Sequence, residues 1–198
     1  MSRPVINPGT LYWSGEHWIN YLRRPDSASN SAMVSLYHTR YSPAGEGTVA
    51  FVDIDDQPAY QGVYSDNPEV TAFIRQMIAG RGNPFDRELP THPARLTRTG
   101  DIRHEPGWQI ETDAVQIQAT WQKLESPVIA EGPAPTFGPD RDFFTVLFFT
   151  WTATIQINGH LCPGQPYTRG IWEPSIGGQR SSCVFALAET MILTPTCA

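Results

Sequence analysis

Apolar and polar residues alternate with a period of two along several stretches of the chain, which is the pattern of β-strands. The segment Ala32–Ile54 contains two such stretches around the turn-forming residues 42–47, and this arrangement predicts a β-hairpin. Residues 113–124 alternate most strictly and predict a half-exposed strand, whose apolar face consists of Val115, Ile117, Ala119 and Trp121. The expected fold class is therefore mostly β and antiparallel.

Two further stretches are richer in apolar residues. Residues 142–159 are predicted as one long strand, with Leu147, Phe149, Trp151, Ala153, Ile155 and Ile157 on one face, and at roughly 3.3 Å per residue a straight strand of this length would span about 50 Å. We therefore expect it to bend, or to coil around a barrel or a strongly twisted sheet. Residues 182–193 are apolar on both faces, which predicts a central, buried strand. Strict alternation puts these side chains on one of its faces: Phe185, Leu187, Glu189, Met191 and Leu193.

One segment has the helical period instead. Asn67 fits an N-cap, Pro68 the first helical position, Glu69 the positive end of the helix dipole, and Gly80 the stop. Its apolar residues have the spacing of an amphipathic helix that lies on a sheet: Val70, Phe73, Ile74, Met77 and Ile78. The segment Glu16 to Arg23 favours a second, shorter helix.

These elements together predict a single domain, residues 1–198, built as an antiparallel β-barrel with one amphipathic helix packed against it. The many strands, the early Gly15-Glu-His-Trp18 stretch and the helix beside the strands resemble the calycins, the lipocalin-like β-barrels. In that family a Gly-x-Trp signature leads directly into a strand, whereas here two residues separate Gly15 from Trp18. The resemblance implies a barrel that binds small apolar molecules and sometimes transforms them, and it assigns no site residue.

Composition and charge exclude several classes of function. A net charge of -6 and a pI near 5.3 argue against nucleic-acid binding, which requires clustered basic residues. No run of about 18 apolar residues could span a bilayer, and the N-terminus lacks the apolar region of a secretory signal. We therefore expect a cytoplasmic protein without a membrane partner.

Motifs for a cofactor or a metal are missing from the sequence. There is no Gly-rich phosphate loop, no G-x-S-x-G and no H-E-x-x-H, and His160 with Cys162 is too small a set of ligands for a metal site. Cys162, Cys183 and Cys197 have no CxxC spacing, so free thiols are expected rather than disulfides or structural zinc. The predicted site contains neither cofactor nor metal.

Three ionisable residues on otherwise apolar strands are the candidates for catalysis. Glu189 interrupts the most apolar stretch of the chain, where desolvation would raise its pKa and make it a general acid or base. His38 and Arg40 share a register with apolar residues, so His38 could move a proton while Arg40 binds an oxyanion. The alternatives are that Glu189 pairs with an arginine and that His38 and Arg40 mark a strand leaving the core.

Large aromatic residues on or beside the predicted strands could line a pocket for a planar or apolar ligand: Phe149, Trp151, Trp121 and Trp172. Ordinary core packing is the alternative. The preferred function is cofactor-free proton-transfer chemistry of the isomerase, hydratase or cyclase type on a small apolar or aromatic molecule. The alternatives are a non-catalytic carrier of a small hydrophobic ligand and an oligomer-forming protein such as a homodimer. Catalysis requires Glu189 and His38 to face one another within about 10 Å.

Overall fold

A computed structural model of the chain describes residues 9–82, 84–133 and 140–194, apart from the side chain of Ser175. The strands are β1 (Thr10–Leu22), β2 (Ala32–Tyr41), β3 (Gly47–Ile54), β4 (Gly62–Ser65), β5 (Thr91–Pro93), β6 (Arg95–Asp101), β7 (Glu105–Glu111), β8 (Gln116–Gln122), β9 (Val128–Pro133), β10 (Arg141–Thr150), β11 (Thr152–Ile157), β12 (His160–Leu161) and β13 (Cys183–Leu193). The helices are α1 (Pro68–Met77) and the single turn α2 (Glu173–Ile176), with 3-10 turns at Pro58–Tyr60 and Gly170–Trp172.

The strands form two sheets, which confirms a mostly β fold. The large sheet has eight strands in the order β5-β4-β3-β2-β1-β13-β10-β9, and the small sheet has five in the order β12-β11-β8-β7-β6. Neighbouring strands run antiparallel, except for the parallel pair of β4 and β5. Neither sheet closes on itself among the described residues, so the predicted closed barrel is replaced by two open sheets.

The long apolar stretch explains why the sheets stay separate. It breaks at Trp151: Thr150 is the last residue of β10 in the large sheet, and Thr152 is the first residue of β11 in the small sheet. The hydroxyl of Thr150 accepts a hydrogen bond from the Thr152 backbone N–H at 2.9 Å and donates to the Gln122 carbonyl, which fixes the corner. A strand that changes sheets joins two packed layers at an edge instead of closing one layer into a barrel.

The large sheet buries side chains on both of its faces. Its inner face packs on the small sheet, and this inner core contains Trp18, Leu36, Val52, Trp108, Ile117, Trp121, Ile155 and Phe185 among others. Its outer face is covered by α1, by the loop after α1 and by the loop between β12 and β13, and this outer core contains Ile19, Tyr37, Phe51, Ile74, Leu89, Phe149 and Met191 among others. Candidate sites can therefore lie on either face of one sheet.

The predicted amphipathic helix is confirmed as α1. The Asn67 side chain accepts hydrogen bonds from the backbone N–H groups of Glu69 at 2.9 Å and Val70 at 3.3 Å, as an N-cap does. Gly80, two residues beyond Ile78, has a φ of +83°, a conformation that glycine adopts without strain. The buried residues of α1 cover the outer face of the large sheet.

The second helix predicted over Glu16 to Arg23 is wrong, because this segment belongs to β1. Trp18 and Leu22 point into the inner core, whereas Ile19 and Tyr21 point into the outer core. A strand buried on both faces shows no alternation of apolar and polar residues, so its pattern resembles that of a helix.

The remaining predicted strands are confirmed. β2 and β3 pair along the whole predicted hairpin, and β13 lies between β1 and β10 near the centre of the large sheet. Cys162 and Cys183 are free and buried, whereas Cys197 lies outside the described residues. None of the helices in the described part of the chain is long and apolar enough to cross a membrane.

Candidate functional site

The three residues predicted to catalyse lie on opposite faces of the large sheet. Glu189 faces the outer core, where its Oε2 accepts a hydrogen bond from the Thr145 hydroxyl at 3.3 Å. His38 is on the inner face, with its ring centroid 5.5 Å from that of Trp108. Arg40 is also inner and donates to Glu16 Oε1 at 2.8 Å. The structure does not bring Glu189 together with His38 and Arg40, because the sheet backbone separates them. The predicted catalysis by Glu189 with His38 and Arg40 therefore fails on geometry, and any proton transfer by Glu189 needs other partners.

A β-bulge in β13 explains the separation. Between Ala186 and Glu189 this strand has two residues where each neighbouring strand has one. One extra residue reverses the face of every side chain beyond it. Phe185 therefore lies in the inner core while Glu189 lies on the outer face, although strict alternation would put both on the same side.

Around Glu189 the structure assembles polar side chains from four adjacent strands of the large sheet. His17 Nδ1 lies 4.0 Å from Glu189 Oε1, and His17 Nε2 is 3.1 Å from the Ser35 hydroxyl. The His17 ring stacks on Tyr37, with 4.0 Å between centroids and 16° between planes. We call these residues, together with Thr145, the His17–Glu189 cluster. Bulges commonly occur beside active sites, where they redirect a side chain.

The His17–Glu189 cluster is buried, but solvent still reaches part of it. The His17 side chain is 11% exposed and the Glu189 side chain 12% exposed, whereas their neighbours Tyr37 and Thr145 are 1% exposed. The ionisable groups are thus the members of the cluster that solvent can reach.

Burial sets the protonation states of the pair. It raises the pKa of Glu189 to about 7, against the opposing effects of the Thr145 hydrogen bond and the Arg81 charge. Burial also lowers the pKa of His17 to about 3, with further lowering by the charges of Arg81 and Arg169. Near neutral pH His17 is therefore uncharged and Glu189 exchanges its proton readily, so their 4.0 Å contact is not an ion pair.

The phenols beside the pair remain protonated. Burial raises the pKa of Tyr37 and of Tyr21 well above that of an exposed tyrosine. Each phenol can therefore donate a hydrogen bond at neutral pH, and Ser35 lies between them as a further hydroxyl. The cluster combines one proton acceptor with several uncharged donors.

Cationic side chains stand at the edge of the cluster. Arg169, on the loop between β12 and β13, has its guanidinium carbon 4.9 Å from the centroid of the Tyr21 ring and 5.9 Å from that of Trp172. Arg81 follows α1, and its charge acts on both members of the ionisable pair. The site therefore has a positive rim around a desolvated carboxyl group.

The aromatic residues predicted to bind a ligand are divided by the fold. Phe149 and Trp172 lie together in the outer core, 5.4 Å apart and nearly perpendicular. Trp121 belongs to the inner core, where its Nε1 donates to the Ile19 carbonyl at 2.9 Å. Trp151 is 44% exposed at the corner between the sheets. Only Phe149 and Trp172 therefore share a face with Glu189.

The inner-face residues belong to a different feature. His38 and Arg40 border an open cleft of about 410 Å³ near the start of α1, where His38 Nδ1 is 3.0 Å from the Thr48 hydroxyl. Within the described residues no group of three or more His, Cys, Asp or Glu side chains could hold a metal ion. The two carboxylates that line this cleft, Glu46 and Asp66, are both exposed, so the cleft lacks the buried proton acceptor that the predicted chemistry requires.

Sequence reasoning missed His17, the partner that the structure gives to Glu189. The Gly15-Glu-His-Trp18 stretch was the available indication, because it places two ionisable residues beside a tryptophan. Assigning the segment to a helix concealed that Glu16 and His17 point to opposite faces of a buried strand.

Comparisons with known proteins leave the site to be interpreted from its own geometry. No family model, no curated protein and no solved structure matches the chain. A desolvated carboxyl beside a neutral imidazole, phenols and a cationic rim can accept a proton, return it, and stabilise negative charge formed in between.

Proposed function

We propose that the protein is an enzyme that catalyses cofactor-free proton transfer on a small organic molecule, with Glu189 as the general acid and base. One observation carries this proposal: burial on the outer face gives Glu189 a pKa of about 7, beside an uncharged His17. A catalytic carboxyl group is most effective when its pKa lies near the working pH. Reactions of the isomerase, hydratase or cyclase type fit this chemistry.

In an isomerisation of this kind, the ionised carboxylate of Glu189 removes a proton from a carbon next to a carbonyl group. The electron pair of the broken C–H bond moves onto the carbonyl oxygen and forms an enolate. When a carbon–carbon double bond is conjugated with the enolate, the protonated Glu189 returns the proton to the far carbon of that double bond. The double bond then moves next to the carbonyl, and both the carbonyl and the carboxylate are restored. No oxidant, reductant or second substrate is needed.

The neighbours of Glu189 have separate roles in this proposal. His17 is held by stacking on Tyr37 and by its 3.1 Å contact with Ser35, so it is a positioning residue beside the carboxyl group. The Tyr37 phenol stays protonated but is 1% exposed, so Tyr37 is a positioning residue that holds the His17 ring in place. Trp172 is partly exposed and packs on the buried Phe149 ring, so it supplies the apolar surface against which a planar substrate packs.

A carrier of a small hydrophobic ligand is the second candidate. The calycin resemblance and the paired aromatic rings favour it. A calycin relationship supposes that the two packed sheets correspond to an opened barrel. Passive binding of an apolar molecule does not require a desolvated carboxyl group, and burying one is unfavourable. The His17–Glu189 cluster therefore favours the enzyme.

The experiment is a pH titration of the Glu189 side-chain carboxyl by carbon NMR, with Glu189→Gln to assign the signal. We expect a midpoint near 7. A midpoint near the ordinary value of about 4.3 would refute the proposal, because the carboxylate would then be solvated or ion-paired.

A screen for deuterium incorporation into small carbonyl compounds in D₂O then tests the chemistry. Glu189→Gln should lower the exchange rate by roughly 10²- to 10⁴-fold. Glu131→Gln, which changes an exposed glutamate on β9, is the matched control and should leave the rate unchanged. Ligand binding without exchange in any compound would favour the carrier.

A further inference from the structure

The charge at the outer face is opposite in sign to that of the chain as a whole. The sequence has 14 basic and 20 acidic residues, yet the charges of Arg81 and Arg169 both act on His17, and the charge of Arg81 also acts on Glu189. Grouped charges of one sign attract ligands of the opposite sign. The immediate surroundings of Glu189 therefore favour an anionic ligand.

Arg169 differs from the other arginine of the same loop. Arg180 lies 3.7 Å from a Glu125 carboxylate oxygen. Across residues 9–82, 84–133 and 140–194, no carboxylate lies within ion-pair distance of Arg169, and its guanidinium donates no hydrogen bond. Its side chain is only partly exposed, so this unpaired charge is incompletely solvated. A guanidinium that no carboxylate neutralises is suited to pair with an anion.

The position of Arg169 is fixed by the base of its loop. Its backbone N–H donates to the Arg180 carbonyl at 2.9 Å, and the Ser182 N–H donates to the Tyr167 carbonyl at 2.7 Å. The guanidinium packs against the Tyr21 and Trp172 rings. Packing of this kind orders the planar group and leaves N–H donors at its edge for a ligand.

We infer that the substrate is a small organic acid with an apolar or aromatic body, whose carboxylate is bound by Arg169 while its reacting carbon faces Glu189. The part of this inference that concerns the reaction rests on the proposed function. The part that concerns carboxylate binding by Arg169 does not. A planar guanidinium pairs with a carboxylate through two parallel hydrogen bonds. A carboxylate carries one negative charge, which a single arginine balances, and the aromatic rings beside it accommodate the apolar body.

Binding is tested with benzoate as the probe, using the NMR signal of the Trp172 indole N–H on the full chain. Benzamide has the same shape without the charge, and inorganic phosphate is an anion without the ring. We expect benzoate to bind, and benzamide and phosphate to bind at least roughly 10-fold more weakly, as expected on losing a hydrogen bond to a charged group.

The role of Arg169 is tested with variants. Arg169→Gln should weaken benzoate binding by roughly 10- to 100-fold, and Arg169→Lys by less, because lysine keeps the charge but loses the planar fork. Arg103→Gln is the control, since this arginine is 78% exposed and paired with Asp101, and it should bind benzoate like the wild type. Equal affinity in Arg169→Gln, equal binding of benzamide, or binding of phosphate alone would each overturn the inference.

Two further measurements separate this inference from the proposed function. Bound benzoate should raise the Glu189 pKa further, because a second negative charge nearby disfavours ionisation. Glu189→Gln should still bind benzoate while deuterium exchange is lost. Arg169-dependent benzoate binding together with an ordinary Glu189 titration would refute the enzyme and leave the anion site standing. Absence of benzoate binding together with a Glu189 midpoint near 7 would refute the anion site and leave the proposed enzyme standing.

Discussion

Glu16 and Glu189 are both buried glutamates of adjacent strands, but they have different hydrogen-bond and charge partners on the two faces of the large sheet. On the inner face, Glu16 is 1% exposed and accepts hydrogen bonds from Arg40, Arg98 and the Trp18 indole. On the outer face, Glu189 accepts one hydrogen bond, from the Thr145 hydroxyl, and no arginine or lysine of the described chain forms an ion pair with it.

The difference shows how one sheet can hold both an ion-paired carboxylate and a carboxyl group whose pKa is raised by burial. Two guanidiniums neutralise Glu16 and connect β1 to β2 and to β6 of the small sheet, so its charge holds the layers together. Glu189 has no such compensation, and its proton is therefore available near neutral pH. Burial raises the pKa of Glu189 because only the Thr145 hydrogen bond and the Arg81 charge oppose it, whereas two guanidiniums pair directly with the buried Glu16.

The largest effect is expected from removing the compensated charge. Glu16→Gln leaves Arg40 and Arg98 facing each other without a carboxylate, and breaking a buried charge network costs about 3 to 5 kcal/mol of unfolding free energy. Urea denaturation measures this loss. Arg40→Gln should cost less, because that side chain is 63% exposed. A loss below about 1 kcal/mol for Glu16→Gln would mean that the network contributes little.

The second prediction concerns the dependence of stability on pH. Between about pH 4.5 and 6.5, folded Glu189 keeps a proton that its unfolded form has released, which lowers stability as pH rises. In the same window folded His17 lacks a proton that its unfolded form binds, which raises stability as pH rises. The two slopes cancel. Glu189→Gln removes the first, so its unfolding free energy should rise relative to wild type by about 1.4 kcal/mol per pH unit.

Urea denaturation between pH 4 and pH 8 tests this cancellation, with Glu131→Gln as the control. The total gain of Glu189→Gln over wild type across the window should reach about 3 kcal/mol. The ionisable or charged groups that act on or contact Glu189 are His17, Tyr37 and Arg81, and the Tyr37 phenol stays protonated throughout this range. A difference between variant and wild type that does not change with pH would contradict the raised pKa.

The parts of the fold that the sequence predicted correctly are those specified by local pattern. The Asn67 cap, the Ala32–Ile54 hairpin and the apolar β13 are each visible within a short window. Each is stabilised by interactions between residues close in sequence, or by burial of a regularly repeating face. Such patterns can be recognised from a short stretch of sequence without knowing how the rest of the chain folds.

The site could not be predicted, because it depends on two irregularities that a period of two does not reveal. The bulge before Glu189 changes its face by inserting one residue, and no residue of that stretch marks it. β1 is buried on both faces, so neither Glu16 nor His17 could be assigned to a face from alternation. The pairing of His17 with Glu189 is set by strand register across more than 170 positions of sequence, which local reasoning does not see.

A substitution at Gly15 tests how closely β1 is packed against its neighbouring strands. Gly15 pairs with Thr39 on one side and Glu189 on the other, and an added Cβ would lie 2.3 Å from the His38 carbonyl oxygen and 3.0 Å from the Trp13 ring. Gly15→Ala should therefore destabilise the protein by about 1 to 3 kcal/mol, as overpacking does. Gly170→Ala, where a Cβ meets nothing within 4 Å, is the control for urea denaturation. Equal stability of the two variants would show that the strands can separate there at little cost.

The smallest effect is expected at Trp151, where the predicted long strand changes sheets. The side chain is 44% exposed and its Nε1 donates to the Glu125 carboxylate at 2.9 Å, an exposed hydrogen bond of little net value. Trp151→Phe should change the unfolding free energy by less than about 0.5 kcal/mol and leave benzoate affinity unchanged. Trp172→Phe should weaken benzoate binding instead, because the Trp172 ring packs against Phe149 and Arg169 on the face of Glu189. Calorimetry measures the affinity of both variants, since Trp172→Phe lacks the indole N–H signal. If Trp151→Phe proved the more damaging of the two for binding, the ligand would lie at the corner between the sheets and not on the outer face.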